Sequence, residues 1–131
     1  MKLLLDTHIW LWSVLEQNRI KPSLAAILDD PEHEHWLSPI SVWELGNLLR
    51  RKRLSLDSEF ERWVPETLRR FPFRHAPLTH EVALQSHQVD LPHNDPADRI
   101  LAATAVVYDL TLVTADERLL KSRRFPVLAN R

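Results

Sequence analysis

The chain has 131 residues, 44% of them hydrophobic and 27% charged, with a formal net charge of −1. These values suit one globular domain over residues 1–131, long enough to bury a core without covalent staples. The lack of cysteine excludes disulfides, thiolate zinc sites and cysteine nucleophiles, and a single glycine, Gly46, argues against phosphate-binding loops and dinucleotide fingerprints built from several glycines.

A charge this close to neutral exerts no global pull on nucleic acid, so any such contact must come from local basic patches. Met1 to Leu5 briefly imitates a signal peptide, but Asp6 and His8 break the apolar run too early. No stretch approaches the roughly 18 apolar residues of a membrane span. The expected location is the cytoplasm, with no membrane association.

In chain order, Leu3-Leu4-Leu5 reads as a first strand ending at Asp6, and Thr7 to about Gln17 as a helix. Pro22 opens a second helix, where its missing N–H costs nothing, and Pro31 closes it. His35-Trp36-Leu37 is a second strand. Ser38 or Ser41 begins a helix with Val42, Leu45 and Leu49 on one face, ending in the cations Arg50-Arg51-Lys52-Arg53. Ser58 to Phe71 carries a stripe of Phe60, Trp63, Val64 and Leu68, with Pro65 implying a kink. Arg74 to Leu78 is a candidate third strand, and Thr79 caps a short helix bearing Val82, Ala83 and Leu84. Pro96 to Tyr108 has the clearest helix signals: Asp95 as cap, Pro96 at the first position, then Ile100, Leu101, Ala105 and Val107 at helical spacing. Thr111-Leu112-Val113 is a strand, Asp116 to Lys121 a helix, and Val127-Leu128 a final edge strand. Strands alternating with helices predict an α/β fold with a parallel sheet covered on both faces.

Four carboxylates, Asp6, Glu44, Asp98 and Asp116, fall at or near junctions between apolar segments and helices. Each has a purely structural explanation. Ser41-Val42-Trp43-Glu44 has the spacing of a capping box, as does Asp95 to Asp98, and Asp6 and Asp116 could cap helices. Yet Glu44 and Asp98 have no basic partner at helical spacing, and Asp6 and Asp116 follow uncharged residues. Such acids must find solvent, backbone donors or a metal. Strand carboxyl ends are where α/β sheets bind ligands. Carboxylates gathered there would raise one another's pKa values unless a hard cation such as Mg²⁺ or Mn²⁺ compensated.

The segments LLLDTHIWLW, SPISVWEL, HNDPADRILAATA and TLVTADERLL resemble the PIN domain, and more narrowly the VapC-type toxins of bacterial type II toxin–antitoxin pairs. The likeness runs over nearly the whole chain in order and spacing. It implies a three-layer α/β/α fold with a central parallel sheet of four to five strands. It also implies a metal-dependent ribonuclease acting on single-stranded or looped RNA, a homodimer, and a small VapB-like antitoxin partner. By position, Asp6, Glu44, Asp98 and Asp116 match the family's four acids, and Thr114 a supporting hydroxyl. Asp95 is expected as the helix cap beside the site.

The expected mechanism is hydrolysis by water activated at one or two Mg²⁺ or Mn²⁺ ions, leaving a 5′-phosphate and a 3′-hydroxyl. Arg50, Arg51, Lys52 and Arg53, then Lys121, Arg123 and Arg124, are candidate RNA contacts; the alternative is a solvated helix end. His33-Glu34-His35 and His80-Glu81 lack a zinc-protease pattern. His93 reads as an exposed loop residue, and Trp10, Trp43 and Trp63 as core or dimer contacts. Three other functions are open to weigh for an acid-bearing α/β domain. A phosphoacceptor receiver would want an acid pair after the first strand, where Asp6 stands alone. A non-catalytic partner-binding module, or a housekeeping RNA-processing nuclease, would share the fold.

Overall fold

In the computed structural model, which describes residues 1–92, 94–122 and 124–131, the leucine run near the start becomes the middle of a sheet. His93 and Arg123, with the expectations attached to them, lie outside the described residues. Strand β1 (Lys2–Leu5) has β2 (Glu34–Leu37) on one side and β4 (Thr111–Thr114) on the other. β3 (Arg74–His75) extends the sheet beyond β2 and β5 (Val127–Ala129) beyond β4, giving the order β3-β2-β1-β4-β5 with every pairing parallel.

Parallel neighbours need crossovers, and helices supply them. α1 (Thr7–Leu15) and α2 (Pro22–Asp29) join β1 to β2, with a 3₁₀ turn at Gln17–Arg19 between them. α3 (Pro39–Arg50) and α4 (Phe60–Arg70) join β2 to β3. α5 (His80–Ser86) and α6 (Pro96–Tyr108) carry the chain back across the sheet to β4, and α7 (Glu117–Leu120) leads to β5.

The pleat sorts β1 into two cores. Leu3 and Leu5 pack with Ile9, Trp10, Leu24, Leu45 and Trp63 on the face covered by α1 to α4. Leu4 packs with Val82, Leu101, Ala102 and Leu119 on the face covered by α5 to α7. All three leucines are essentially inaccessible to water, as a strand covered on both faces must be. Burying each stabilises the fold by about 1.5–3 kcal/mol. Trp10 and Trp63 meet edge-on, with ring centroids 5.9 Å apart, and anchor the first core.

Several elements differ from the sequence reading. β3 covers two residues rather than Arg74 to Leu78; the Ala76 N–H still reaches the Leu37 carbonyl at 3.0 Å, and Pro77 then lacks a donor to continue. Pro65 lies inside α4, on its exposed side, where water can reach the carbonyl it leaves without an N–H partner. Leu84, named with Val82 and Ala83 on the short helix α5, is 72% exposed, whereas Val82 is fully buried. Trp43 is likewise exposed rather than in the core. α3 ends with Lys52 in the left-handed region at φ 56°, its N–H bonded to Leu49 and that of Arg53 to Leu48. This closing turn satisfies two terminal carbonyls with a lysine where glycine is usual. Among the described residues, no helix is long and apolar enough to cross a membrane.

Candidate active site

The chain passes from β1 to β2 on one side, while β4 lies on the other, so the connections diverge between β1 and β4. Crevices beyond the carboxyl ends of strands at such a switch point are where open α/β sheets bind ligands. Asp6 follows β1 directly, and Asp116 stands two residues beyond the end of β4. Between them opens a cleft of about 320 Å³ whose walls include Asp6, Glu44, Asp98 and Asp116, with Asp95 at its edge. The four acids separated by up to 110 positions in the sequence therefore face one space.

Asp6 is 6% exposed and works at both oxygens. Oδ1 accepts the Ile9 N–H at 2.8 Å and so caps α1, while Oδ2 accepts the Thr114 hydroxyl. The register explains the second contact: Leu5 pairs with Val113, which sets Asp6 beside Thr114. The Thr114 oxygen also accepts the Asp116 N–H at 3.0 Å, tying the ends of the two strands together.

Glu44 comes from the second turn of α3. Ser38 is the cap of that helix, accepting the Ile40 N–H at 3.1 Å, with Pro39 at the first position. The capping-box reading of Ser41 and Glu44 is therefore wrong: Ser41 is already inside the helix. Its hydroxyl is buried 3.0 Å from that of Thr7, and Thr7 donates to Glu44 Oε1. A residue from the start of α1 thus holds the carboxylate of α3.

Asp95 caps α6 as expected, accepting the Asp98 N–H at 3.1 Å. Asp116 caps α7, accepting the Arg118 N–H at 2.9 Å. The Arg118 guanidinium folds back onto Asp116 at 2.9 Å and reaches Asp98 at 3.6 Å. The sequence reading, confined to helical spacing and immediate neighbours, did not single out this residue. Its link to Asp116 spans two positions, outside helical pairing distances, and its link to Asp98 is tertiary.

Electrostatics bear the mark of crowding. Burial pushes the Asp98 pKa from 3.8 up to about 7, helped by the charges of Asp95, Asp116 and Glu44 and opposed by Arg118. Burial also raises the pKa of Asp6, against the Thr114 and Ile9 hydrogen bonds, and that of Glu44, against the Thr7 hydrogen bond. Bonding to Asp116 raises the Arg118 pKa, keeping it cationic.

This donor set suits a hard divalent cation. All the donors are oxygens, and the raised pKa values of Asp6, Glu44 and Asp98 reflect burial and neighbouring negative charge that a cation would offset. Among the described residues no group of three His, Asp or Glu side chains is placed to hold a metal ion together. Mg²⁺ needs no such group, because it retains several waters and binds through one or two carboxylates. Zinc is not favoured: His33 lies 2.9 Å from the terminal amine and near Asp30, while His35 stacks toward Phe73.

Other sequence candidates scatter. Arg50, Arg51, Lys52 and Arg53 are exposed and line no part of the acid cleft, though Arg53 borders a neighbouring groove that shares His8 and Trp12 with it. Lys121 and Arg124 are exposed and lie outside the cleft walls. His8 and Trp12, which do line the cleft, were not singled out in the sequence. Their signal was available: positions i and i+4 beside the first acid.

Comparison with known proteins shows what the chain as a whole is similar to. Ribonuclease VapC22 of Mycobacterium tuberculosis (strain ATCC 25618 / H37Rv) is 32% identical over 126 residues, covering 94% of this chain and 92% of that protein. The structure of FitAB bound to IR36 DNA fragment superposes with a TM-score of 0.72 at 25% identity, covering 98% of this chain and 94% of that one. VapBC2 from Rickettsia felis, bound to a DNA fragment from their promoter, shares the fold with a TM-score of 0.72 at 14% identity, covering 98% of each chain. The PIN domain family model matches residues 3–124. The chain belongs to the PIN domain family.

Proposed function

We propose that this chain is a metal-dependent endoribonuclease that cuts single-stranded or looped RNA and acts as the toxin of a toxin–antitoxin pair. The observation that carries the reading is the meeting of Asp6, Glu44, Asp98 and Asp116 in one cleft at the switch point. The identity to Ribonuclease VapC22 supports RNA as substrate. The same identity and the four motif segments support a small VapB-like antitoxin as partner. A homodimer is part of the reading, with the exposed Trp43 suited to burial between copies.

Asp6, Glu44, Asp98 and Asp116 would hold Mg²⁺ or Mn²⁺. The cation, when bound, supplies activated water at neutral pH and charge neutralisation at the phosphate. The chain's own contribution is orientation. Thr114 and the Ile9 N–H fix the Asp6 carboxylate, and Thr7 fixes Glu44. Asp98, with its pKa near 7, is the acid that readily gives up a proton when positive charge arrives. Arg118 compensates the rim acids before that and stands within reach of a phosphate entering between Asp98 and Asp116. Asp95 keeps α6 capped so that Asp98 is held at the cleft.

The test is cleavage of total RNA with Mg²⁺ or Mn²⁺, wild type against Asp98→Asn, with both product ends mapped. Wild type should leave 5′-phosphate and 3′-hydroxyl ends, chelation should stop it, and Asp98→Asn should be inactive. Equal cleavage by the variant, or cleavage indifferent to chelation, would overturn the reading. Growth arrest on expression, relieved by a co-encoded small protein, separates a toxin from a housekeeping nuclease.

A further inference from the structure

We propose that the exposed face of α1 carrying His8 and Trp12 is a shelf on which one RNA base stacks beside the acid cleft. Arg19 and Arg53 would take the phosphates that follow. The proposal rests on the ribonuclease reading and names how its substrate is held.

His8 and Trp12 are four positions apart on α1 and so share a helix face. Their rings lie 6.0 Å apart at 53°. Both border the acid cleft, and both also border a second groove between α1 and α3, floored by Leu11 and Leu48 and edged by Arg19 and Arg53. The two concavities share this aromatic wall, so a strand running from the acids into the second groove crosses it. The Arg19 guanidinium sits 4.7 Å over the Trp12 ring, held by Glu16 at 3.2 Å. That ion pair is exposed and weak, so a base can displace the guanidinium from the ring and leave it free for a phosphate. Among the described residues, Glu16 is the one acid lining this groove, against Arg19 and Arg53. An aromatic surface flanked by cations is how sequence-tolerant sites hold single strands, whose bases present open faces. A duplex has none to offer.

Affinity is measured by fluorescence anisotropy in an Asp98→Asn background with Mg²⁺, using a short single-stranded oligoribonucleotide and a set with one abasic position moved along it. Trp12→Leu should weaken binding about ten-fold or more, Trp12→Phe much less, and His8→Ala to an intermediate degree. One abasic position should weaken binding to the unmodified shelf and erase the Trp12→Leu difference. The first of these two effects needs no protein variant beyond the background, so it stands even if Trp12→Leu folds poorly. Unchanged RNA affinity in Trp12→Leu and His8→Ala, whatever either does to a protein partner, would overturn the shelf, as would equal losses at every abasic position. Wild type that neither binds nor cuts RNA would overturn the ribonuclease reading and the shelf with it. Wild type that cuts RNA with no sensitivity to Trp12, His8 or base loss would overturn the shelf alone.

Discussion

The floor of the acid cleft and its rim hold their carboxylates in different ways. On the floor, Asp6 and Glu44 accept hydrogen bonds from the neutral hydroxyls of Thr114 and Thr7, side chains that are themselves buried. On the rim, Asp98 and Asp116 face a cation, Arg118, with side chains 14% and 27% exposed. The floor acids are part of the packing that joins β1, β4, α1 and α3. The rim acids are part of a charge balance that a metal ion can take over. Substitutions should therefore separate the two: the floor couples stability to function, and the rim does not.

The largest effect is expected from Asp6→Ala set beside Asp98→Asn. Asp6→Ala removes the α1 cap, worth about 1 kcal/mol, and strands the buried Thr114 hydroxyl at a further cost of about 1–3 kcal/mol. Asp98→Asn should lower cleavage on the order of 10³-fold, the loss of about 4 kcal/mol of metal-based stabilisation. Its melting temperature without metal should hold or rise, since it relieves repulsion from Asp95, Asp116 and Glu44. Thermal melts and single-turnover cleavage on both variants check this, and equal destabilisation would dissolve the distinction.

Next in size are Thr114→Val and Thr7→Val, which keep every acid but release its orientation. Cleavage should fall about 10- to 100-fold, as for residues that orient metal ligands. A variant as active as wild type would show that its hydroxyl does nothing beyond packing.

The pH response follows from the raised pKa values of Asp6, Glu44 and Asp98. The folded chain keeps protons that the unfolded chain releases near pH 3.8. The stability that protonated Asp98 contributes is complete below that pH and is lost as pH rises through about 7, with Asp6 and Glu44 acting in the same direction. Without metal, urea midpoints should decline over this window, and Asp98→Asn should flatten the decline. Mg²⁺ should restore stability above it. A decline that is as steep in Asp98→Asn would place its origin elsewhere.

The smallest effect concerns Arg118→Ala. Removing the resident cation should tighten Mn²⁺ binding by a few-fold at pH 8, read by calorimetry. Weaker binding would mean that Arg118 organises the acids rather than competing for them.

Much of this was legible in the sequence because local signals agreed. Asp95-Pro96 set the start of α6, and its range matched the observed Pro96–Tyr108. Three leucines with no polar alternation announced a strand buried on both faces. Glu44 misled because Ser41 and Ser38 both offered a cap; Pro39, favoured at the first helical position, was the signal for Ser38. β3 was overestimated because its five candidate residues include Pro77, which cannot extend a ladder. Arg118 could not be placed from sequence, since its bond to Asp98 depends on the packing of α7 against α6. Thr7 looked like a helix-start residue, and only the packing of α1 on α3 brings it to Glu44 and Ser41.

The most direct test of the central claim, that four distant acids make one metal site, is a Mn²⁺ titration by calorimetry of the wild type and of Asp6→Asn, Glu44→Gln, Asp98→Asn and Asp116→Asn. The expected result is that each substitution weakens the same binding event. Binding that survives all four at wild-type affinity, or that depends on one acid and ignores the other three, would contradict it.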